Sequence, residues 1–558
     1  MSVFIGYPSF MAYQMMKGKK DNNDGFPSIP GMIARYSASG LTNEQMKENP
    51  VWVDKTGNGH DLQMKNFLWG GMFGVGGYVQ NFNYFRNNAT VDKVRIDEQS
   101  SNSIKVTLLT SEMSYAIYIP KDIYQFNKSY FIKISSEGYN EGDLFLSFYA
   151  PSTSTATTVK VPLNPNGITE IPAIKEDDFL AVYLFNAAGK VGSITIEQLP
   201  LYPGALVFDG VDDYGVCDNF PILTKEKGYT VVALRQWITY NPNAISAIAT
   251  NASDQSFNGA FTFENYNKGA EQTISYGATQ ISLQYSKSPF SWQTTSKYNG
   301  VNIANGNKDA TNSLVLGRSY PQRNDFANFA IWELVFLDHD ATEEELTKIK
   351  DYFVKTYPWL FFDQAWTVTG KTNEDEDRAT IANITGNGND LVLSNFGFIE
   401  GSGYNEEGEY AGYLVTDGVD DKAVSKQFKF GENFTVILDF KFPVKKISYC
   451  GFDLSSKVRI QNLQGSGVYV VLKGNKTLIP SNVVRAVTSE GKVYDENWNE
   501  YNIVPGNISS NYTRVNLGFD GSNQFAESAT KLAGIYSSTL SKDDCIKAYN
   551  YLQTLKAK

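Results

Sequence analysis

Apolar and polar residues alternate in short runs through much of this chain, which is the mark of strands with one face in a core and one in water. Between residues 78 and 203 such runs fall at Ile104–Leu108, Tyr115–Ile119, Tyr130–Ile134, Leu144–Phe148, Val159–Val161, Phe179–Phe185 and Ile194–Ile196. Turn residues separate them and no helical period appears, so this stretch predicts a β-sandwich or jelly roll. Longer apolar stretches on either side, at Tyr229–Tyr240, Phe329–Leu337 and Leu532–Tyr536, read as strands of larger sheets. Two helices are expected. One opens at Thr342-Glu343-Glu344-Glu345 and the other at Ser541-Lys542-Asp543-Asp544, where a hydroxyl caps the first turn and the acids favour its positive end.

Two motifs recur in the same order. Phe208-Asp209-Gly210-Val211-Asp212-Asp213-Tyr214 returns as Thr416-Asp417-Gly418-Val419-Asp420-Asp421-Lys422. Thr56-Gly57-Asn58-Gly59-His60-Asp61-Leu62 returns as Thr385-Gly386-Asn387-Gly388-Asn389-Asp390-Leu391. Asp-Gly is a strong turn signal, and each Asp-Gly-Val-Asp-Asp copy is expected to close a hairpin. The pairs are offset by 208 and 329 positions, so about 121 residues are present in the first copy alone. Leu316-Gly317 and Leu517-Gly518 lead into the closing strand and helix of each copy. The expected plan is an all-β chain of four parts: an arm over 1–30, a first β-unit over 31–77 and 204–357, an inserted sandwich over 78–203, and a second β-unit over 358–558.

With these motifs in place, the chain resembles the LamG-like, concanavalin A-like jelly rolls over all but the arm and the insertion. The stretch from Asp377-Arg378 through Thr385-Gly386-Asn387-Gly388-Asn389-Asp390-Leu391 to Phe398, with Ser402-Gly403-Tyr404-Asn405 beyond it, resembles large virion proteins of Bacteroides-infecting, crAss-like tailed phages. The resemblance implies two packed antiparallel sheets per unit, ligands on a concave face or at loop edges, and calcium at loop edges in some members. It also implies a place in a virion made in the host cytoplasm, as a fibre, tail or capsid-surface component with other virion proteins and copies of itself as partners. Host surface polysaccharide is the ligand it suggests.

Composition narrows the chemistry. The net charge of −11 with no long basic run argues against a nucleic-acid groove. Three cysteines, far apart, give no disulfide framework and no zinc spacing, and two histidines exclude a His-rich metal site. No secretory signal is visible and no run approaches the roughly 18 apolar residues of a membrane span. Asp209, Asp212 and Asp213, with Asp417, Asp420 and Asp421, are the candidate calcium ligands, since clustered carboxylates supply hard oxygens; no other cofactor is expected. Glu374 and Glu376 form the one dense acidic run that would mimic a glycosidase pair. Gly370, Asn373 and Arg378 around it, with no apolar alternation, make it a solvated loop, and no enzymatic activity is expected.

Aligning Tyr229-Thr230 with Phe434-Thr435 uses one copy to read the other. Tyr229, Val231, Ala233, Arg235 and Trp237 then share the face of Phe434, Val436, Leu438, Phe440 and Phe442, which is wholly apolar and therefore core. The opposite face carries Gln236 and Tyr240 in one copy and Asp439 and Lys441 in the other, and is the candidate glycan-binding face. Finally, Phe4, Tyr7, Phe10 and Tyr13 lie in an apolar arm with a charged tether behind it, and are expected to dock on another subunit. A glycan-cleaving enzyme on the same fold and a purely structural assembly protein are the alternatives.

Overall fold

The computed structural model describes residues 24–557, apart from 88–92, 112–114, 152–156, 177–178, 224–227, 240–246, 254–260, 264–279, 286–299, 302–309, 320–324, 387, 407, 443–447, 456, 463–467, 508–511 and 522–523. The chain is all-β, as the alternation predicts, with three α-helices among the described residues: α1 (Asn43–Glu48), α2 (Glu343–Thr356) and α3 (Lys542–Gln553). None of the described helices is long and apolar enough to cross a membrane.

In the first unit, one sheet has the order Gln280–Tyr285, Thr230–Thr239, Asn328–Leu337, Leu206–Val207, Gly74–Val75, with Met32–Ser37 also pairing on Asn328–Leu337. Its partner sheet includes Leu62–Lys65, Tyr214–Cys217, Ala310–Leu316 and Ala249–Ala252. Tyr229, Val231, Ala233 and Trp237 are buried between them with Trp52, Leu62 and Leu316, on the face that copy two marks as core. Arg235, the odd residue on that face, is 0% exposed. The second unit repeats the plan with two eight-stranded sheets, and Phe434, Val436, Leu438, Phe440 and Phe442 lie in its core.

Residues 78–203 hold two five-stranded sheets. One runs Val159–Pro162, Leu144–Tyr149, Ala181–Asn186, Tyr115–Pro120, Arg86–Asn87, and the other Ile168–Ile171, Tyr130–Ser136, Gly192–Gln198, Ser103–Leu108, Val94–Gln99. Each of the seven alternating runs holds a strand, the sixth beginning at Ala181 rather than Phe179. The three that alternation did not reveal are short or, like Val94–Gln99, have only two apolar residues with which to alternate.

The Asp-Gly-Val-Asp-Asp segments do not close hairpins. Leu206–Val207 lies in one sheet and Tyr214–Cys217 in the other, so the segment carries the chain across the edge of the sandwich; Leu414–Asp417 and Lys422–Val424 repeat this. The carboxylate explains it. Asp209 Oδ1 accepts from the N–H groups of Val211, Asp212 and Asp213 at 2.7, 3.1 and 3.2 Å, so the bend satisfies itself without a paired strand. Gly210 and Gly418 hold the required left-handed backbone at φ 73° and 74°.

A fourth apolar cluster lies outside the three sandwiches. The outer faces of both units' long sheets meet in it, through Val232, Leu234 and Trp332 on one side and Ile437, Ala486 and Leu532 on the other. Helices α2 and α3 fill the space with Leu346, Ile349, Phe353, Ala548 and Leu552, and the insertion contributes Phe131 and Ile168. The arm's described end joins the same cluster: Ile29 is buried there, and Phe26 packs edge-on against Tyr352 at 4.8 Å.

Candidate functional site

The face chosen for glycan binding is inside this central cluster. Asp439 is 1% exposed and accepts from Arg485, from the Tyr413 hydroxyl at 2.8 Å and from Gln553 of α3 at 2.9 Å. Arg485 also bonds Glu170 of the insertion at 3.1 Å. Burial works to raise the Asp439 carboxyl, but the guanidinium of Arg485, helped by Lys531, holds it well below the usual carboxylate range. Glu170 is raised instead, because burial outweighs its share of Arg485. Lys441 is half-buried over the rings of Tyr413 and Tyr410, and Gln236 is 2% exposed. Tyr240 lies outside the described residues. Asp439 and Gln236 are therefore enclosed beneath a packed layer rather than facing water, while Lys441 keeps part of its side chain exposed. This corrects the expected face at Asp439 and Gln236: a side chain enclosed between layers cannot meet a polysaccharide.

The aspartate clusters do come together. In each copy the three carboxylates offer oxygens within 4.8 Å of one another. Burial, then the charge of Asp209, pushes the Asp213 carboxyl up to about 8, and burial pushes Asp421 up to about 6. Part of the set is already engaged, since Asp209 and Asp417 cap their own turns and Asp213 and Asp421 accept from the N–H of Asp209 and Asp417. Of six side-chain oxygens per loop two are engaged and four remain, against the roughly six to eight that calcium takes. Glu374 and Glu376 are exposed in a turn where Asp375 accepts from Thr372 at 2.9 Å. Phe4, Tyr7, Phe10 and Tyr13 lie outside the described residues.

A cleft of about 570 Å³ opens between the insertion and the second unit. The insertion lines it with Lys133, Asn166, Glu197 and Leu199, α3 with Lys542, Asp543, Ile546 and the buried Asn550, and the turn after Asp495 with Asn497, Asn499 and Glu500. That turn is set by Asp495, whose Oδ1 accepts from the N–H of Asn497 and of Asn499, both at 2.9 Å. Trp498, in the left-handed region at φ 60°, is thereby driven inward against Tyr549, 5.8 Å between ring centres. A hydrogen bond from Lys492 keeps Glu500 below the usual range. Four amides, several charges and an apolar floor in one cleft can grip a polar ligand with hydroxyls on its rim and C–H groups on its faces. Sequence reading missed these residues because they come from segments about three hundred positions apart or more; Asn497-Trp498-Asn499 is the one local signal.

No family model matches the chain, and no curated protein does. Among solved structures it is similar to a Trypanosoma rangeli sialidase in complex with sialic acid, at 8% identity and TM-score 0.26, covering 84% of this chain and 85% of that one. A second Trypanosoma rangeli sialidase structure gives 9%, 0.25, 85% and 94%. The N-terminal CBM22-1-CBM22-2 tandem domain from Paenibacillus barcinonensis Xyn10C gives 11%, 0.16, 47% and 95%. The expectation that the chain is not an enzyme is overturned by the sialidases among these matches and is withdrawn. At these identities and TM-scores they assign no activity to it either.

Proposed function

We propose that the chain is a structural component of a phage particle, in a tail, a fibre or the capsid surface, and that it holds host polysaccharide in the cleft between its inserted sandwich and its second unit. The cleft carries the glycan half of this reading. Asn166, Asn497 and Asn499 present both donors and acceptors, as a ring of sugar hydroxyls requires, above the apolar Leu199 and Ile546. The virion half is supported by the resemblance of the stretch from Asp377 to Phe398, with Ser402-Gly403-Tyr404-Asn405 beyond it, to phage virion proteins, with the apolar arm as the docking peptide and copies of the chain or other virion proteins as its partners. Calorimetry with capsular polysaccharide from a Bacteroides host should show binding that Asn499→Ala and Asn166→Ala each weaken about tenfold, ~1.4 kcal/mol. Equal affinity in both variants would remove the cleft from the reading. Antibodies against the chain should label intact particles, and unlabelled particles would remove the virion.

One observation favours a second reading, cleavage of the bound glycan: Glu197, Glu500 and Asp543 line the same cleft. Release of reducing ends from that polysaccharide, lost in Glu197→Gln or Asp543→Asn, would select it.

A further inference from the structure

We propose that the outer face of the inserted sandwich is a second binding platform, separate from the cleft, and that its ligand is an acidic polysaccharide. The strands Leu144–Tyr149, Ala181–Asn186 and Tyr115–Pro120 turn Leu146, Phe148, Val182, Leu184, Ile117 and Ile119 into the sandwich core. By alternation their other residues point away from it, and at Tyr115 a register shift between Tyr183 and Phe185 brings the ring round to the same outer face. These are not the small polar side chains that usually cover an open antiparallel face. Tyr118 pairs with Tyr183 and Tyr183 with Ser147; in the next row Tyr115 pairs with Phe185 and Phe185 with Phe145. The rings form one cluster, with Tyr115 5.0 Å from Tyr183 and 4.9 Å from Phe185, Tyr118 5.5 Å from Tyr183, and Tyr149 5.9 Å from Tyr183. Every one of them is half-buried, so each keeps part of a ring in contact with water.

The platform points away from the rest of the molecule, because the opposite sheet of the same sandwich carries the contacts to it. Phe131, Ile168 and Glu170 all belong to that other sheet. Two further observations say what would cover the face. Ser147 is 0% exposed in the middle of the rings and its hydroxyl has no hydrogen-bond partner, a costly state for a finished surface. The five strands of this sheet contain no Asp or Glu, although the whole chain holds 60 of them; their charged residues are Arg86 and Lys160. Lys160 sits 3.8 Å over the Phe185 ring, and neither cation has a carboxylate partner among the described residues.

An acidic polysaccharide matches the rings and the cations. Its C–H faces lie on half-exposed rings, its hydroxyls meet the phenols, and its carboxylates meet Arg86 and Lys160. It is the charge of the face, two cations and no carboxylate, that selects an anionic polymer; protein interfaces are rich in the same aromatic rings, so a protein cover is left as an outcome of the test.

The test uses the full chain in native gels containing polygalacturonate, alginate, hyaluronan or neutral dextran. At least one acidic polymer should retard the wild type and dextran should not. Tyr118→Ala, Tyr183→Ala and Lys160→Glu should each weaken that retardation about tenfold, ~1.4 kcal/mol, while Asn499→Ala in the cleft leaves it unchanged. Lys160→Glu alters an exposed side chain, so it reports on the platform even where a tyrosine variant fails to fold. Retardation by none of the acidic polymers, or equal retardation in the Lys160→Glu variant, overturns the proposal. So does self-association of the wild type that Tyr183→Ala abolishes without any polysaccharide effect, since the face would then be covered by a second copy. Loss in the cleft variant alone would speak for the proposed function and against the platform.

Discussion

At the scale of single residues, the duplicated aspartate loop gives the sharpest expectations. Asp213 titrates near 8 in the folded chain against 3.8 when free, so folding favours its neutral form. That contribution is intact below about pH 4 and is lost as the pH rises through 8. Asp213→Asn keeps an acceptor for the Asp209 N–H and removes the ionisation. It should melt like the wild type at pH 4 and be more stable, on the order of 5 kcal/mol, at pH 9. Thermal melts across that range check it, and millimolar calcium at pH 9 should close the gap only if the three carboxylates bind the ion. Gly418→Ala tests the backbone. The added Cβ would stand 2.8 Å from the Glu527 nitrogen at φ 74°, so a loss of roughly 2 kcal/mol is expected. The positive φ was legible, because Asp-Gly requires it of the sequence. The sheet crossing was not, because nothing local tells a turn whether its two strands pair with each other.

At the scale of elements, the helices were the most legible part. Thr342 and Glu345 form a reciprocal capping box, Ser541 caps through the Asp544 N–H, and both follow from the spacing of hydroxyl and acid. Thr342→Ala should cost about 1 kcal/mol in denaturant unfolding. Helix α1 escaped notice because six residues are too few to show a period. Yet it marks a third repeat, Thr42-Asn43-Glu44 against Thr372-Asn373-Glu374, with one job in both places. Asn43 brackets the backbone of Val75 and Asn373 that of Tyr404, each donating from Nδ2 and accepting at Oδ1. The acidic run that mimics a glycosidase pair is thus the second copy of a bracket. Asn373→Ala strips both bonds from Tyr404, and a loss of about 2 kcal/mol in the same assay is the expected result.

At the scale of the whole molecule, the alternation was read correctly strand by strand but assigned one face of each long strand to water. Asp439 and Gln236 look like solvent-facing residues in any single-strand pattern. They are enclosed because a third layer, made of two helices and a neighbouring sandwich, packs on the sheets from outside, and alternation carries no information about what lies beyond a face. That layer makes the parts interdependent. Removing the guanidinium of Arg485 leaves Asp439 buried beside Glu170, so Arg485→Met should lose roughly 3–5 kcal/mol. Glu170→Gln keeps that pair and should cost far less. The same layer decides how a fragment behaves. Residues 358–558 contain two complete sheets and α3, and by sequence they look self-sufficient. In the full chain, however, Tyr549 of α3 packs on Phe131 of the insertion at 5.2 Å and Tyr551 on Trp332 of the first unit at 6.3 Å. Cutting at 358 bares these rings together with part of the central cluster, and each large apolar side chain returned to water forgoes roughly 1.5–3 kcal/mol. The isolated fragment should therefore melt below the full chain, bind a hydrophobic dye and self-associate in sedimentation. A monomeric fragment with the full chain's melting temperature would show that the central cluster is a seam between finished domains rather than a core they share.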